Sequence, residues 1–347
     1  MRRFTVLLLS LLAVSAFAQQ PKVSEKVDVN IVLIDATVTD KTGHQILGLD
    51  KNDFVVMENG KPVSVDTVDY FTNRISVDTR EEKAAYKVDR VRDDRYFIFF
   101  LDKPEGDQLF DQLTRARLAV KKFIDQRMKP GDLAAVVAHD VRLRVYSDFT
   151  DNKKQLKAAL DTAAAHSLGL SGPVGTPDQP SIMRNIDKGR MIKHTGTVYE
   201  AIGTLADSLR PIHARKELVL FTPGILANDE EVHGPIALNE SRYYRPMIQA
   251  LNGANVTVYP TNLTLDAPEV AHQTLTRMAH ETGGEYFRLN VGFDTPLKKV
   301  EGETSGYYLI AYYSPHAPGE KGFQKVSVAL KNPEFKVKSR EGYLFGD

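Results

Sequence analysis

The sequence contains no cysteine and no tryptophan. Without thiols there are no disulfides, no thiolate metal sites and no cysteine nucleophile. A chain of 347 residues can bury a core large enough to hold without cross-links. Charge of one sign is also missing. The 45 Lys and Arg residues balance 45 Asp and Glu, and no long basic run stands out; this excludes nucleic acid as the expected partner. Beyond the amino terminus no apolar stretch reaches the roughly 20 residues that a membrane-spanning helix needs. Recognisable catalytic motifs are absent too. His280-Glu281 lacks the second histidine of a zinc-protease helix. There is no G-x-S-x-G elbow, no P-loop and no G-x-G-x-x-G, and the nine histidines follow no ligand spacing.

What is present begins with Arg2 and Arg3, followed by a nearly unbroken apolar run from Phe4 to Phe17 and the small residues of Ala16-Phe17-Ala18. A charged start, an apolar stretch and a small-residue site make a signal peptide. The run is too short for a comfortable membrane anchor. Residues 1–18 are therefore expected to be removed near Ala18, leaving a periplasmic or extracellular chain with no transmembrane span.

Three textures follow. Residues 27–72 read as β, with alternating Val27, Val29, Ile31 and Leu33, a strand at Phe54–Met57, an Asn59-Gly60 hairpin turn and a return through Val63, Val65 and Thr67. Residues 73–94 are charged and weakly patterned, as a linker is. Residues 95–302 alternate strands and helices. Tyr96–Leu101 is an unbroken apolar run, suited to a strand buried on both faces. Leu109, Leu113, Ala116, Val120 and Phe123 recur at helical spacing. Such alternation predicts a doubly wound, mostly parallel sheet. Residues 166–191, rich in Gly and Pro, read as one long loop, and Glu285–Phe287 as a short last strand. Residues 304–347 return to β. Two or three strands alone are marginal in water, so the two β segments are expected to pack together as one β-sandwich with the α/β domain inserted between them.

In an open parallel sheet, ligands bind beyond the carboxyl ends of the strands. Three such points carry chemistry: Asp102-Lys103-Pro104-Glu105-Gly106, Thr195-Gly196-Thr197 and Pro223-Gly224. In this order they resemble a von Willebrand factor type A domain, as does the turn at Thr282-Gly283-Gly284. The flanks, Gly48–Phe54 and Glu58–Pro62, then Tyr307–Tyr313 and Arg340–Tyr343, are similar to those of an exported bacterial group of von Willebrand A-related proteins. The resemblance implies a Rossmann-like fold and a role in protein binding or adhesion. It also implies a divalent-cation site of the pattern D-x-S-x-S, Thr and Asp. Asp102 and Thr197 match that pattern. Pro104, Gly106 and Pro223 stand where two Ser and an Asp would be, and offer no side-chain oxygen. Glu105, Asp107 and Asp229 are the acids that could substitute. Thr197 also reads as the start of a capping box with Glu200.

The expectation is a non-enzymatic binding module with a degenerate cation site, no cofactor, and a protein or cell-envelope ligand met by Asp102, Glu105, Asp107, Thr197 and Asp229. Two alternatives stay open. One is Mg²⁺- or Ca²⁺-dependent ligand binding through Asp102, Thr197 and substitute acids. The other is a hydrolase whose site follows no known motif.

Overall fold

The computed structural model describes residues 31–72, 95–103, 109–165, 179–225, 240–288, 292–316 and 319–346. The signal segment 1–18, the linker 73–94, and Pro104, Glu105, Gly106, Asp107 and Asp229 lie outside the described residues.

Period-two burial builds the first strand. β1 (Ile31–Thr39) turns Val32, Ile34, Ala36 and Val38 into a core. β2 (Phe54–Glu58) and β3 (Lys61–Val63) flank Asn59 and Gly60, whose φ values of 46° and 77° suit a tight two-residue hairpin. The expected single return strand divides at Ser64. β3 stays beside β2, and β4 (Val65–Thr72) crosses to the opposite sheet.

The inserted unit then runs β5 (Tyr96–Asp102), α1 (Phe110–Gln126), β6 (Leu133–His139), β7 (Leu143–Thr150), α2 (Lys153–Ala164), α3 (Ile182–Asn185), α4 (Lys188–Lys193), α5 (Val198–Leu209) and β8 (Lys216–Thr222). A π-helical turn, Glu240–Tyr244, leads into α6 (Arg245–Gly253), then β9 (Val256–Asn262), α7 (Glu269–Thr282) and α8 (Asp294–Glu303). The chain closes with β10 (Gly306–Tyr313), β11 (Gly322–Leu330), β12 (Lys336–Ser339) and β13 (Gly342–Phe345).

The central sheet has the order β7-β6-β5-β8-β9, parallel except for β7. Every residue of β5 is buried, because helices cover both faces. Ile98 and Phe100 meet Ile202, Leu205, Met247, Leu251 and Met278 on one side. Phe97, Phe99 and Leu101 meet Val120, Phe123, Leu156, Leu160 and Val300 on the other. The order reverses between β5 and β8, and beyond the carboxyl ends of these strands lies the crevice where such sheets bind ligands.

The terminal strands form two antiparallel sheets, β12-β1-β10-β4 and β13-β11-β2-β3. Each mixes strands from both ends of the chain. Ile34, Val56, Tyr308, Ile310 and Val326 fill the space between them. The inserted unit enters and leaves at one point: Arg95 donates to Asp132 and to Thr304, and Thr72 donates to the Ser305 carbonyl.

Two expectations are corrected. The described part of the 166–191 loop holds α3 and α4, because the Ser181 and Asp187 side chains accept from Arg184 and Arg190 N–H groups and start a helical turn at each place. The last strand at Glu285–Phe287 shrinks to one bridge, Thr261 to Phe287. Gly283 and Gly284 turn the chain so tightly that only Phe287 reaches β9 in register.

Candidate functional site

Asp102 ends β5 at the order reversal, only 6% exposed. Parallel pairing places it opposite His139, the last residue of β6. The ladder continues one step further, with the Lys103 N–H donating to the His139 carbonyl at 2.7 Å. His139 Nδ1 lies 3.2 Å from Asp102 Oδ1. On the other side, the last residue of β8 contributes: Thr222 Oγ1 donates to Asp102 Oδ2 at 2.7 Å and itself accepts from Gly224 N–H at 3.2 Å. Both carboxylate oxygens are thus engaged inside the protein.

The remaining ring nitrogen, His139 Nε2, lies 3.2 Å from the Thr195 carbonyl oxygen. Thr195 is fully buried and pinned twice. Its hydroxyl donates to the Met191 carbonyl at 2.6 Å and accepts from Leu143 N–H at 3.1 Å. The 195–197 segment therefore does reach Asp102, but through Thr195 and His139.

Thr197 itself starts α5. Its Oγ1 accepts from Glu200 N–H at 3.2 Å, and its own N–H donates to Glu200 Oε2 at 3.1 Å, a complete capping box. Thr197→Ala is expected to cost about 1 kcal/mol of stability, as lost caps do. Urea unfolding would show it, with the amide and imidazole signals of His139 unmoved.

Beside the site, Lys103 is buried and lies over the Tyr146 ring. Burial depresses its pKa, against the opposing pull of the Asp140 carboxylate; its ammonium donates to the Ala165 carbonyl. Pro223 follows Thr222 in the turn to Gly224, which has φ 134° and so favours glycine. Among the described residues no group of three or more His, Asp or Glu side chains converges to hold a metal ion. A hard cation needs several oxygen ligands. Asp102 keeps lone pairs for a ligand, but the set around it does not fit one: the Thr197 hydroxyl is turned to Glu200 in both directions, and Pro104, Gly106 and Pro223 bring no side-chain oxygen.

Sequence reasoning missed His139 and Thr222, and it named the Thr195–Thr197 segment but gave the role to Thr197 where the structure uses Thr195. The signal was the strand ends themselves, since Asp102, His139 and Thr222 each terminate a strand of the central sheet.

Counted by their order within the unit, the central strands run 3-2-1-4-5, the order of a Rossmann-type sheet, with β5, β6 and β8 ending in the same crevice. The fold is von Willebrand A-like. No protein-family model matches the chain, and no curated protein matches it. Solved structures resemble it at low identity. A von Willebrand factor type A protein from Catenulispora acidiphila is 11% identical, with TM-score 0.43 over 91% of this chain and 75% of that one. A point mutant of the PilB minor pilin from Streptococcus sanguinis is 13% identical, with TM-score 0.41 over 80% and 79%. An aerotolerance-related membrane protein from Bacteroides fragilis is 13% identical, with TM-score 0.39 over 60% and 98%. At these scores the assignment rests on the chain's own strand order and on the helices covering both faces of the sheet. Among the described residues no helix is long and apolar enough to cross a membrane.

Proposed function

We propose that this chain is an exported, non-enzymatic binding module that meets a protein or cell-envelope ligand at the carboxyl rim of its von Willebrand A-like sheet and does so without a divalent cation. The observation that carries the reading is the full engagement of Asp102, by His139 on one oxygen and Thr222 on the other. A carboxylate held in this way organises the rim, and among the described residues no group of three or more His, Asp or Glu side chains gathers around it to complete a cation site. Export is supported by the Arg2-Arg3 start, the Phe4–Phe17 apolar run and the small residues ending at Ala18. The non-enzymatic reading is supported by the absence of known catalytic motifs from the sequence. The residues proposed to meet the ligand are Asp102 and Thr197 at the rim, together with Glu105, Asp107 and Asp229, which follow β5 and β8 in the sequence.

Calorimetric titration of the mature chain with Mg²⁺, Mn²⁺ and Ca²⁺ tests the cation-free reading. No saturable heat is expected in the millimolar range where weak extracellular calcium modules bind. Saturable heat that disappears in Asp102→Ala would reverse it.

A further inference from the structure

We infer that His139 performs, as a resident side chain, the joining role that a bound cation is given at such a rim. The inference rests on the cation-free reading above and deepens it. The resemblance assigns cation ligands to three places: the end of β5, the segment before α5 and the end of β8. Here the same three places are joined with no ion. The imidazole reaches Asp102 at the end of β5 through Nδ1 and the Thr195 carbonyl before α5 through Nε2. Thr222 at the end of β8 completes the circuit on the second carboxylate oxygen.

Three features make this a built arrangement. The backbone fixes it, because Asp102 and His139 are register partners on adjacent parallel strands. Burial isolates it: Asp102 is 6% exposed, His139 7%, and Thr195 and Thr222 0%. Competing water is therefore largely excluded, and an unpaired polar group here would cost free energy. The far end is also anchored, since Thr195 is held by Met191 and Leu143. Both partners only accept, so the ring joins the two segments as a cation would when both of its nitrogens carry a proton and donate, Nδ1–H to Asp102 and Nε2–H to the Thr195 carbonyl. The rim is consequently set when the chain folds, and cation supply does not regulate it.

The test converts the ring back into a ligand. His139→Asp in the complete mature chain places a second carboxylate at the register partner of Asp102. Melting is followed in EDTA and in millimolar MgCl₂, MnCl₂ or CaCl₂. The wild-type midpoint is expected to be the same in all of them. His139→Asp should melt lower in EDTA and recover several degrees, saturably, with at least one cation, and the recovery should vanish when Asp102→Ala is added. A purely structural histidine would lower stability without creating that cation response. A folded His139→Asp chain indifferent to all three cations overturns the inference. A wild-type chain that responds to them overturns the cation-free reading instead. If His139→Asp does not fold, His139→Asn carries the same test: it leaves one Asp102 oxygen without the ring, and absence of any cation-dependent rise overturns the proposal.

Discussion

Gly284→Ala is expected to abolish the folded state or to cost more than about 4 kcal/mol, the range reserved for a severe core defect. A methyl group at this position would lie 1.9 Å from the Val258 carbonyl oxygen and 2.8 Å from its carbon. That oxygen belongs to β9 in the central sheet, where no side-chain rotation can relieve the contact. Gly283 beside it has φ 80°, and a methyl there would meet the Ser339 backbone carbon at 2.8 Å. Ser339 ends β12 of the sandwich. The two glycines thus let α7 turn sharply onto β9 and let the sandwich backbone seat against that turn. A hydrogen bond from Glu341 N–H to the Glu281 carbonyl, 3.0 Å, fastens the same contact. Circular dichroism and urea unfolding of Gly284→Ala against wild type would show the loss. A variant within about 1 kcal/mol of wild type, a small fraction of a typical fold's stability, would show that the turn is not packed this tightly.

The sequence analysis identified this turn but not its second duty. Thr282-Gly283-Gly284 was given by the resemblance as a turn before the last strand; the structure makes Gly283, at φ 80°, the left-handed stop of α7. Nothing local revealed that residues 339–341, distant in sequence, close on it. The same division holds elsewhere. Tyr96–Leu101 and the Leu113–Phe123 stripe were legible because burial on two faces, or on one helical stripe, leaves a pattern inside a single window. The helix α2 shows Leu156, Ala159, Leu160 and Ala163 on one buried face, yet it follows β7 so closely that its start is marked mainly by the Asn152 cap. The helix α8 buries only Pro296, Leu297, Val300 and Glu303, too few apolar residues to announce itself. The split of the hairpin return at Ser64 was invisible because both halves alternate; only pairing with β10 assigns the second half to the other sheet.

At the rim, Asp102 and Thr197 were readable as residue types in a known order. Their occupations were not. The capping box of Thr197 was visible as Thr and Glu three residues apart. The Asp102 network depends on parallel register between β5, β6 and β8, a long-range fact that sets which strand ends stand together. Histidine counted along the chain looked scattered; histidine placed at the end of β6 is a neighbour of Asp102.

A second large effect is expected where the sandwich meets the foot of the sheet. Arg215, Lys216 and Glu217 begin or precede β8 and are buried. Arg215 Nε lies 2.7 Å from Glu217 Oε1, and its other nitrogens reach Thr37 of β1 and Tyr259 of β9. Glu303 accepts from Tyr259 and from Lys338 of β12; Asp35 of β1 accepts from Asn255. One guanidinium therefore serves several acids: burial works against its charge, but Glu217, with Asp35 and Glu303, outweighs burial and holds Arg215 protonated. It does not fully compensate any one of them. Burial pushes the Glu217 carboxyl up to about 7, with Glu303 and Asp35 adding to the shift and Arg215 opposing it. Burial likewise brings the Lys216 ammonium down to about 7, with Arg340 adding to the shift; Lys216 donates to the Ile212 and Ala214 carbonyls. Because the folded chain holds the Glu217 proton more tightly than the unfolded one, the stability from that proton is complete below about 4.5 and is lost as pH rises through about 7. Lys216 runs the other way: its contribution is complete above about 10.5 and is lost as pH falls through about 7. Wild type is therefore expected to lose about 3 kcal/mol relative to Glu217→Gln between those two lower pH values. It is expected to gain relative to Lys216→Met between the two upper ones. Urea unfolding at fixed pH would measure both differences, and parallel curves for wild type and Glu217→Gln would show that Glu217 keeps its charge throughout. Opposed slopes that meet near neutral pH would mean that this seam costs most near pH 7. Such a cost is tolerable only because Arg215, Lys338 and Arg340 tie β1 and β12 to the sheet foot from several directions, holding the sandwich in place beneath the rim that carries Asp102.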